Sequence, residues 1–215
     1  MKIELKTIQH SPQLSEETHA FTANLHINGK HAGYAKNNGR GGATYYLPKD
    51  QEGKVLIREA EKYCEGLPPS DHTKNNSLGG LSHDMDLEQY IDDLLNKHIE
   101  KKEIAKFNAK MNKVMLKGIV YGIPDKSYSG FVYIMPMIKL LAHPNGPEIV
   151  LRDLTEKVLP SLKQGQKLLN TNIPESIIKA AGFREGQYVT PTVRNIRYGT
   201  IPYIEDDKNN RGRSR

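Results

Sequence analysis

The chain has 215 residues, 37% hydrophobic and 26% charged, with a formal net charge of +6, which is length enough for one or two cores without disulfide staples. No stretch approaches the roughly 18 uninterrupted apolar residues of a membrane-spanning helix. The opening MKIELKTIQHSP alternates where a signal peptide would build an apolar core, so a cytoplasmic address is expected, with no membrane. The single Cys64 excludes an internal disulfide and a Cys-pair zinc site, and a pI of about 9.2 favours a polyanionic partner without naming one.

Taken in chain order, residues 1–48 read as a three- or four-stranded antiparallel meander. Phe21, Ala23, Leu25 and Ile27 alternate with Thr22 and Asn24, a period of two that sends one set to a core. Asn28-Gly29 supplies the two-residue turn chemistry of a hairpin. The return strand covers 30–36, and a third short strand, 43–47, is ended by Pro48. Residues 51–65 carry Val55, Leu56, Ala60 and Tyr63 at helical spacing, so one helix packs across this sheet.

Residues 66–84, GLPPSDHTKNNSLGGLSHD, break both periods and read as a linker. Beyond it, Asp84 or Asp86 caps a helix with Leu87, Tyr90, Ile91, Leu94, Leu95 and His98 on one stripe, continuing through Ile104, Phe107, Met111 and Val114. Two apolar strands, 119–121 and 131–135, flank a polar turn and stop at Pro136. Short helices are expected at 137–142, 148–159 and 177–181, and a strand at 187–193. Residues 85–204 thus form a mixed helical domain with a β-hairpin. The tail 205–215, EDDKNNRGRSR, has no apolar anchor and reads as a disordered basic tail. The fold class is α+β.

Two features can bind anions. In Asn37-Asn38-Gly39-Arg40-Gly41-Gly42, glycines let backbone N–H groups converge, and Arg40 adds a bidentate donor for phosphate or carboxylate. The spacing is that of neither a P-loop nor a dinucleotide fingerprint, and a plain hairpin loop is the alternative. Glu16, Glu17 and Thr18 open the preceding strand and either approach this loop across the sheet or form a polar cluster at a helix or strand start. The second feature is a lysine run: over residues 97–117 seven lysines stand against two glutamates. Lys102, Lys106, Lys110, Lys113 and Lys117 recur at three or four and share one helical face, suited to nucleic acid or another polyanion or simply to solvent. Arg211, Arg213 and Arg215 extend that basic surface.

Other chemistry is absent from the pattern. The eight histidines form no HExxH or HxH pair, no Gly-x-Ser-x-Gly elbow exists, and adjacent Asp92 and Asp93 read as exposed helix surface. No metal, cofactor or catalytic residue is assigned.

Two resemblances add to this reading. Ile173-Pro174, Ile177, Gly182, Gly186 and Val189 resemble the local pattern of swapped-hairpin transcription regulators, but the preceding 166–171, a basic strand in those DNA binders, has only Lys167 charged. Ser15-Glu16-Glu17-Thr18, Phe21, Ala23, Gly29-Lys30, Asn38-Gly39 and Gly41-Gly42, followed by Leu87-Glu88, Ile91 and Leu94-Leu95, resemble uncharacterised phage and prophage proteins. Asn38 stands where that group often has Asp. The resemblance implies a mobile-element origin and the cytoplasm of a bacterial host, with no activity attached. The expected function is a non-enzymatic accessory binding protein contacting nucleic acid through the lysine helix. The alternatives are an anti-defence inhibitor that binds a host protein or sequesters a nucleotide at the Gly-rich loop, and an enzyme of unknown class. Tyr45, Tyr46, Tyr128 and Tyr133 are candidates for a homo-oligomer interface.

Overall fold

The alternation of residues 21–27 is realised in β2 (Phe21–Ile27), where Phe21, Ala23, Leu25 and Ile27 are buried. The computed structural model describes residues 1–68 and 85–192 of an α+β chain. It divides into two compact units, 1–102 and 103–215. The expected linker 66–84 lies mostly outside the described residues, and the tail 205–215 wholly so.

In unit 1, β1 (Ile3–His10), β2, β3 (Lys30–Asn37) and β4 (Tyr45–Pro48) form an antiparallel sheet in sequential order. Asn28 and Gly29 turn β2 into β3 with φ of 50° and 82°, the positive values that a two-residue hairpin loop needs. Helix α1 (Gln51–Glu65) spans the residues its periodicity predicts, because the Asp50 side chain accepts from the Gly53 N–H at 2.8 Å and fixes its start. Ile57, Ala60 and Cys64 face a core that also takes Leu25, Ile27 and Ala35 from the sheet. Leu87, Ile91, Leu95 and Ile99 of α2 (Leu87–Met115) join the same core. Asp86 caps α2, its carboxylate accepting from the Gln89 N–H at 2.7 Å. Each such fully buried aliphatic side chain contributes about 1.5–3 kcal/mol.

Strand β4 begins two residues later than predicted. Thr44 is withheld from it because its N–H donates to Glu88 Oε1 at 2.8 Å and its hydroxyl to Asp92 Oδ1 at 2.7 Å.

In unit 2, β5 (Gly118–Ile123) pairs antiparallel with β6 (Ser127–Val132) and with the two-residue β7 (Lys167–Leu168), giving the order β6-β5-β7. Strand β6 starts and ends earlier than predicted. Ser127, Ser129 and Gly130 have turn composition, yet they pair with Ile123, Tyr121 and Val120, since ladder pairing overrides weak local preference. Helices α3 (Met137–Ala142) and α4 (Gly146–Asp153) follow, the latter running into a π-helical turn (Leu154–Val158). Helix α5 (Glu175–Ala180) closes the core built on Ile119, Met137, Val150, Leu154, Leu168, Ile173 and Ile178. The predicted strand at 187–193 is reduced to a parallel bridge between Tyr188 and Leu168, where Leu168 N–H donates to Gln187 O and Val189 N–H to Leu168 O, both at 2.9 Å. Pro191 has no N–H with which to continue the pairing.

Candidate functional site

The Gly-rich loop joins β3 to β4, and its centre is the buried Asn37. Asn37 Oδ1 accepts from the Gly39 N–H at 2.9 Å and the Thr18 hydroxyl at 3.0 Å. Its Nδ2 donates to Gly42 O at 2.9 Å and Thr44 Oγ1 at 3.1 Å. All four hydrogen-bonding positions of the amide are therefore filled. Gly39 has φ of 86°, and its carbonyl accepts from the N–H groups of Glu16, Glu17 and Thr18 at 2.9, 3.0 and 3.3 Å. Glu16, Glu17 and Thr18 meet the loop from the turn before β2, all three through their backbone N–H groups and Thr18 also through its hydroxyl.

Three amides of the loop are engaged within the protein. Besides Gly39, the Arg40 N–H donates to Asn38 Oδ1 and the Gly41 N–H to Thr18 Oγ1, each at 3.3 Å. Arg40, Gly41 and Gly42 remain exposed, and Arg40 makes no ion pair among the described residues.

Beside the loop lies a cleft of about 260 Å³ lined by Thr18, His19, Asn37, Asp92, Leu95 and Asn96. Asp92 is not exposed helix surface as the sequence suggests. It is partly buried, and burial holds its carboxyl above the usual carboxylate range, opposed by the Thr44 hydrogen bond and reinforced by Glu88, Asp93 and Asp86. Asp93 accepts from Gln89 Nε2 at 3.3 Å. The cleft is thus acidic on its α2 side, and a positively charged or neutral donor group suits it better than an anion. The Thr44–Asp92 bond joins residues 48 apart in sequence, and nothing local marks it.

The lysine run behaves differently. Lys102, Lys106, Lys110 and Lys113 lie on α2 and Lys117 in the turn that follows. All five are exposed, and none is ion-paired among the described residues. Lys102 is the last residue of unit 1, and the other four belong to unit 2. On α2 within unit 2, Ile104, Phe107, Met111 and Val114 are partly buried and Met115 buried, so lysines and apolar residues occupy different sides of one amphipathic segment. From Lys106 to Lys113 the axis advances about 10 Å at 1.5 Å per residue. Arg211, Arg213 and Arg215 lie outside the described residues.

Sequence reasoning overlooked Asn170. It is fully buried in unit 2, where Oδ1 accepts from the Val120 N–H at 2.6 Å and Nδ2 donates to Gly118 O and Asn172 Oδ1, both at 2.9 Å. Asn170 thereby serves β5 as a further strand would.

The stretch with the swapped-hairpin pattern contains α5, and Gly182 and Gly186 adopt φ of 90° and 85°. Near its end, Glu175, Lys179, Glu185, Gly186, Tyr188 and Thr190 line a cavity of about 490 Å³. Glu175 Oε1 there accepts from Tyr188 OH at 2.7 Å and pairs with Lys179 at 3.0 Å. Among the described residues no group of three or more His, Cys, Asp or Glu side chains is placed to hold a metal ion, and no helix is long and apolar enough to cross a membrane. No family model matches this chain, and no curated protein or solved structure does either.

Proposed function

We propose that this chain is a non-enzymatic accessory binding protein of a phage or mobile element, contacting nucleic acid or another polyanion through the lysine face of α2. The observation that supports the reading is the unneutralised charge of Lys106, Lys110, Lys113 and Lys117, all exposed and without ion pairs among the described residues. Neighbouring like charges on a helix cost a few tenths of a kcal/mol per pair, a cost that a polyanion removes. The Gly-rich loop gives less support to nucleotide sequestration, because its Gly39, Arg40 and Gly41 amides are already engaged.

The test is fluorescence anisotropy of a labelled mixed-sequence DNA duplex with the full chain. With four lysines neutralising phosphates, the affinity falls about 100-fold between 50 and 200 mM salt. The triple variant Lys106→Glu, Lys110→Glu, Lys113→Glu loses binding. Binding that ignores both salt and these substitutions overturns the reading.

A further inference from the structure

Strand β6 is an edge of the unit 2 sheet among the described residues, and its free side has a defined hydrogen-bonding pattern. Val120, the partner of Gly130, spends its N–H on Asn170 and its C=O on the Leu169 N–H, both away from β6. Val120 and Gly130 are therefore a non-hydrogen-bonded pair. By alternation, Tyr128, Gly130 and Val132 direct their N–H and C=O groups outward, with no ladder partner among the described residues.

The end of this edge runs into a patch of exposed aliphatic side chains. Leu116, Val132, Ile134 and Ile138 are more than half exposed, and Ile134 projects completely, at 105% of its reference area. Backbone hydrogen bonds draw them together: Tyr133 N–H donates to Lys117 O at 2.7 Å and Met137 N–H to Leu116 O at 2.8 Å. Tyr133 turns the other way, its hydroxyl donating to buried Asp153 at 3.0 Å. That anchor holds the segment in place while Val132 and Ile134 remain outside.

The stretch of chain that carries the patch is basic. Residues 104–147 contain six lysines and a single acidic residue, Asp125, whose carboxylate accepts from Asn108 Nδ2 at 2.7 Å. Lys113, Lys117 and Lys139 are near the patch in sequence, and Lys126 sits at the β5–β6 turn.

We infer that the β6 edge and its aliphatic end are a docking site for an extended segment of a partner protein in which acidic and aliphatic residues alternate. The segment adds as a strand to Tyr128, Gly130 and Val132, sets its aliphatic side chains against Ile134 and Ile138, and places its carboxylates among the lysines. The two other surfaces that basic-apolar patches meet fit less well. Nucleic acid bases stack on aromatic faces, and the exposed residues here are aliphatic. Lipid offers nothing to the open backbone groups of a strand edge. The site shares Lys113 and Lys117 with the proposed polyanion face, but its strand edge and aliphatic side chains are its own, so Ile134 and Ile138 test it apart from nucleic-acid binding.

The probe is a fluorescein-labelled peptide of five Glu-Val repeats, titrated into the full chain. It is expected to bind at least tenfold more tightly than the matching Lys-Val peptide, and to protect the Tyr128, Gly130 and Val132 amides from hydrogen exchange. The double variant Ile134→Ser, Ile138→Ser, which alters no charge, weakens peptide binding at least tenfold and leaves duplex DNA binding unchanged. Lys106→Glu with Lys110→Glu abolishes duplex DNA binding, while saturating peptide still protects the Tyr128, Gly130 and Val132 amides. The inference is overturned by equal affinity for both peptides, by binding without protection of those amides, or by a self-association in sedimentation that Ile134→Ser abolishes, which would make the occupant a second copy. Anionic vesicles that bind through Ile134 while the peptide does not would overturn it in favour of a membrane surface.

Discussion

Unit 1 holds 13 Lys and Arg against 15 Asp and Glu, whereas unit 2 holds 18 against 10, so the whole positive excess of the chain belongs to unit 2. The units also use polar side chains differently. Around the Gly-rich loop of unit 1, Thr18, Asn37, Thr44, Glu88 and Asp92 satisfy one another or nearby backbone. On α2 within unit 2, Lys106, Lys110 and Lys113 engage no acid among the described residues. A glycine-rich loop in a sequence suggests an anion site, but whether its amides are available depends on side chains from other parts of the chain. A lysine stripe needs no such help, because exposure alone leaves it available.

The largest effects that sharpen this contrast come from the two buried asparagines. Asn37→Ala leaves the Gly39 N–H and Gly42 C=O without their partners in unit 1, and Asn170→Ala does the same to the Val120 N–H and Gly118 C=O in unit 2. Each is expected to cost about 3 kcal/mol in urea unfolding. If the units unfold separately, each substitution shifts only its own transition. A single shared transition moved by both would show the division to be one of packing and not of stability.

Cys64 tells the units apart chemically. It is fully buried in the unit 1 core, and burial pushes its thiol up to about 11, so thiolate is scarce at pH 8. Iodoacetamide labelling is expected to be more than about 100-fold slower than for the unfolded chain and to accelerate in Asn37→Ala but not in Asn170→Ala. Rapid labelling of the native protein would contradict the packing described.

A smaller effect attaches to Asp92. Burial holds its folded-state carboxyl above the usual range, so its contribution to stability is complete below the unfolded value and is lost as pH rises through the folded one. Asp92→Asn keeps an acceptor for the Thr44 hydroxyl and removes the desolvated charge. It is expected to be more stable than the native chain near pH 7, by less than about 1 kcal/mol because water still reaches the carboxyl, with the difference vanishing in acid. Smallest of all, Lys110→Glu is expected to stabilise the folded chain by only a few tenths of a kcal/mol, by relieving repulsion from Lys106 and Lys113. A large change there would mean that the lysine face is engaged within the protein.

What could be read from the sequence follows the range of the interactions. Strand β2, the Asn28-Gly29 turn and helix α1 were legible because each is decided within a few residues. The lysine stripe was legible for the same reason, as it is a matter of helical period and exposure. The Thr44–Asp92 and Asn170–Val120 bonds were not, since they link residues 48 and 50 apart and leave no local periodicity. Strand β6 was misplaced because its serines and glycine share the composition of turns, and only pairing with β5 distinguishes them.

One consequence of the unit 1 core concerns fragments. Leu87, Ile91, Leu95 and Ile99 complete a core whose remaining side chains all come from before residue 68 or from Met85. Cutting the chain where its composition suggests a linker, within 69–84, would thus sever the backbone without dividing that core. The two pieces, one ending near Pro68 and one beginning near Met85, are set up for complementation: held by burial after a nick, and separately unable to bury what each leaves uncovered.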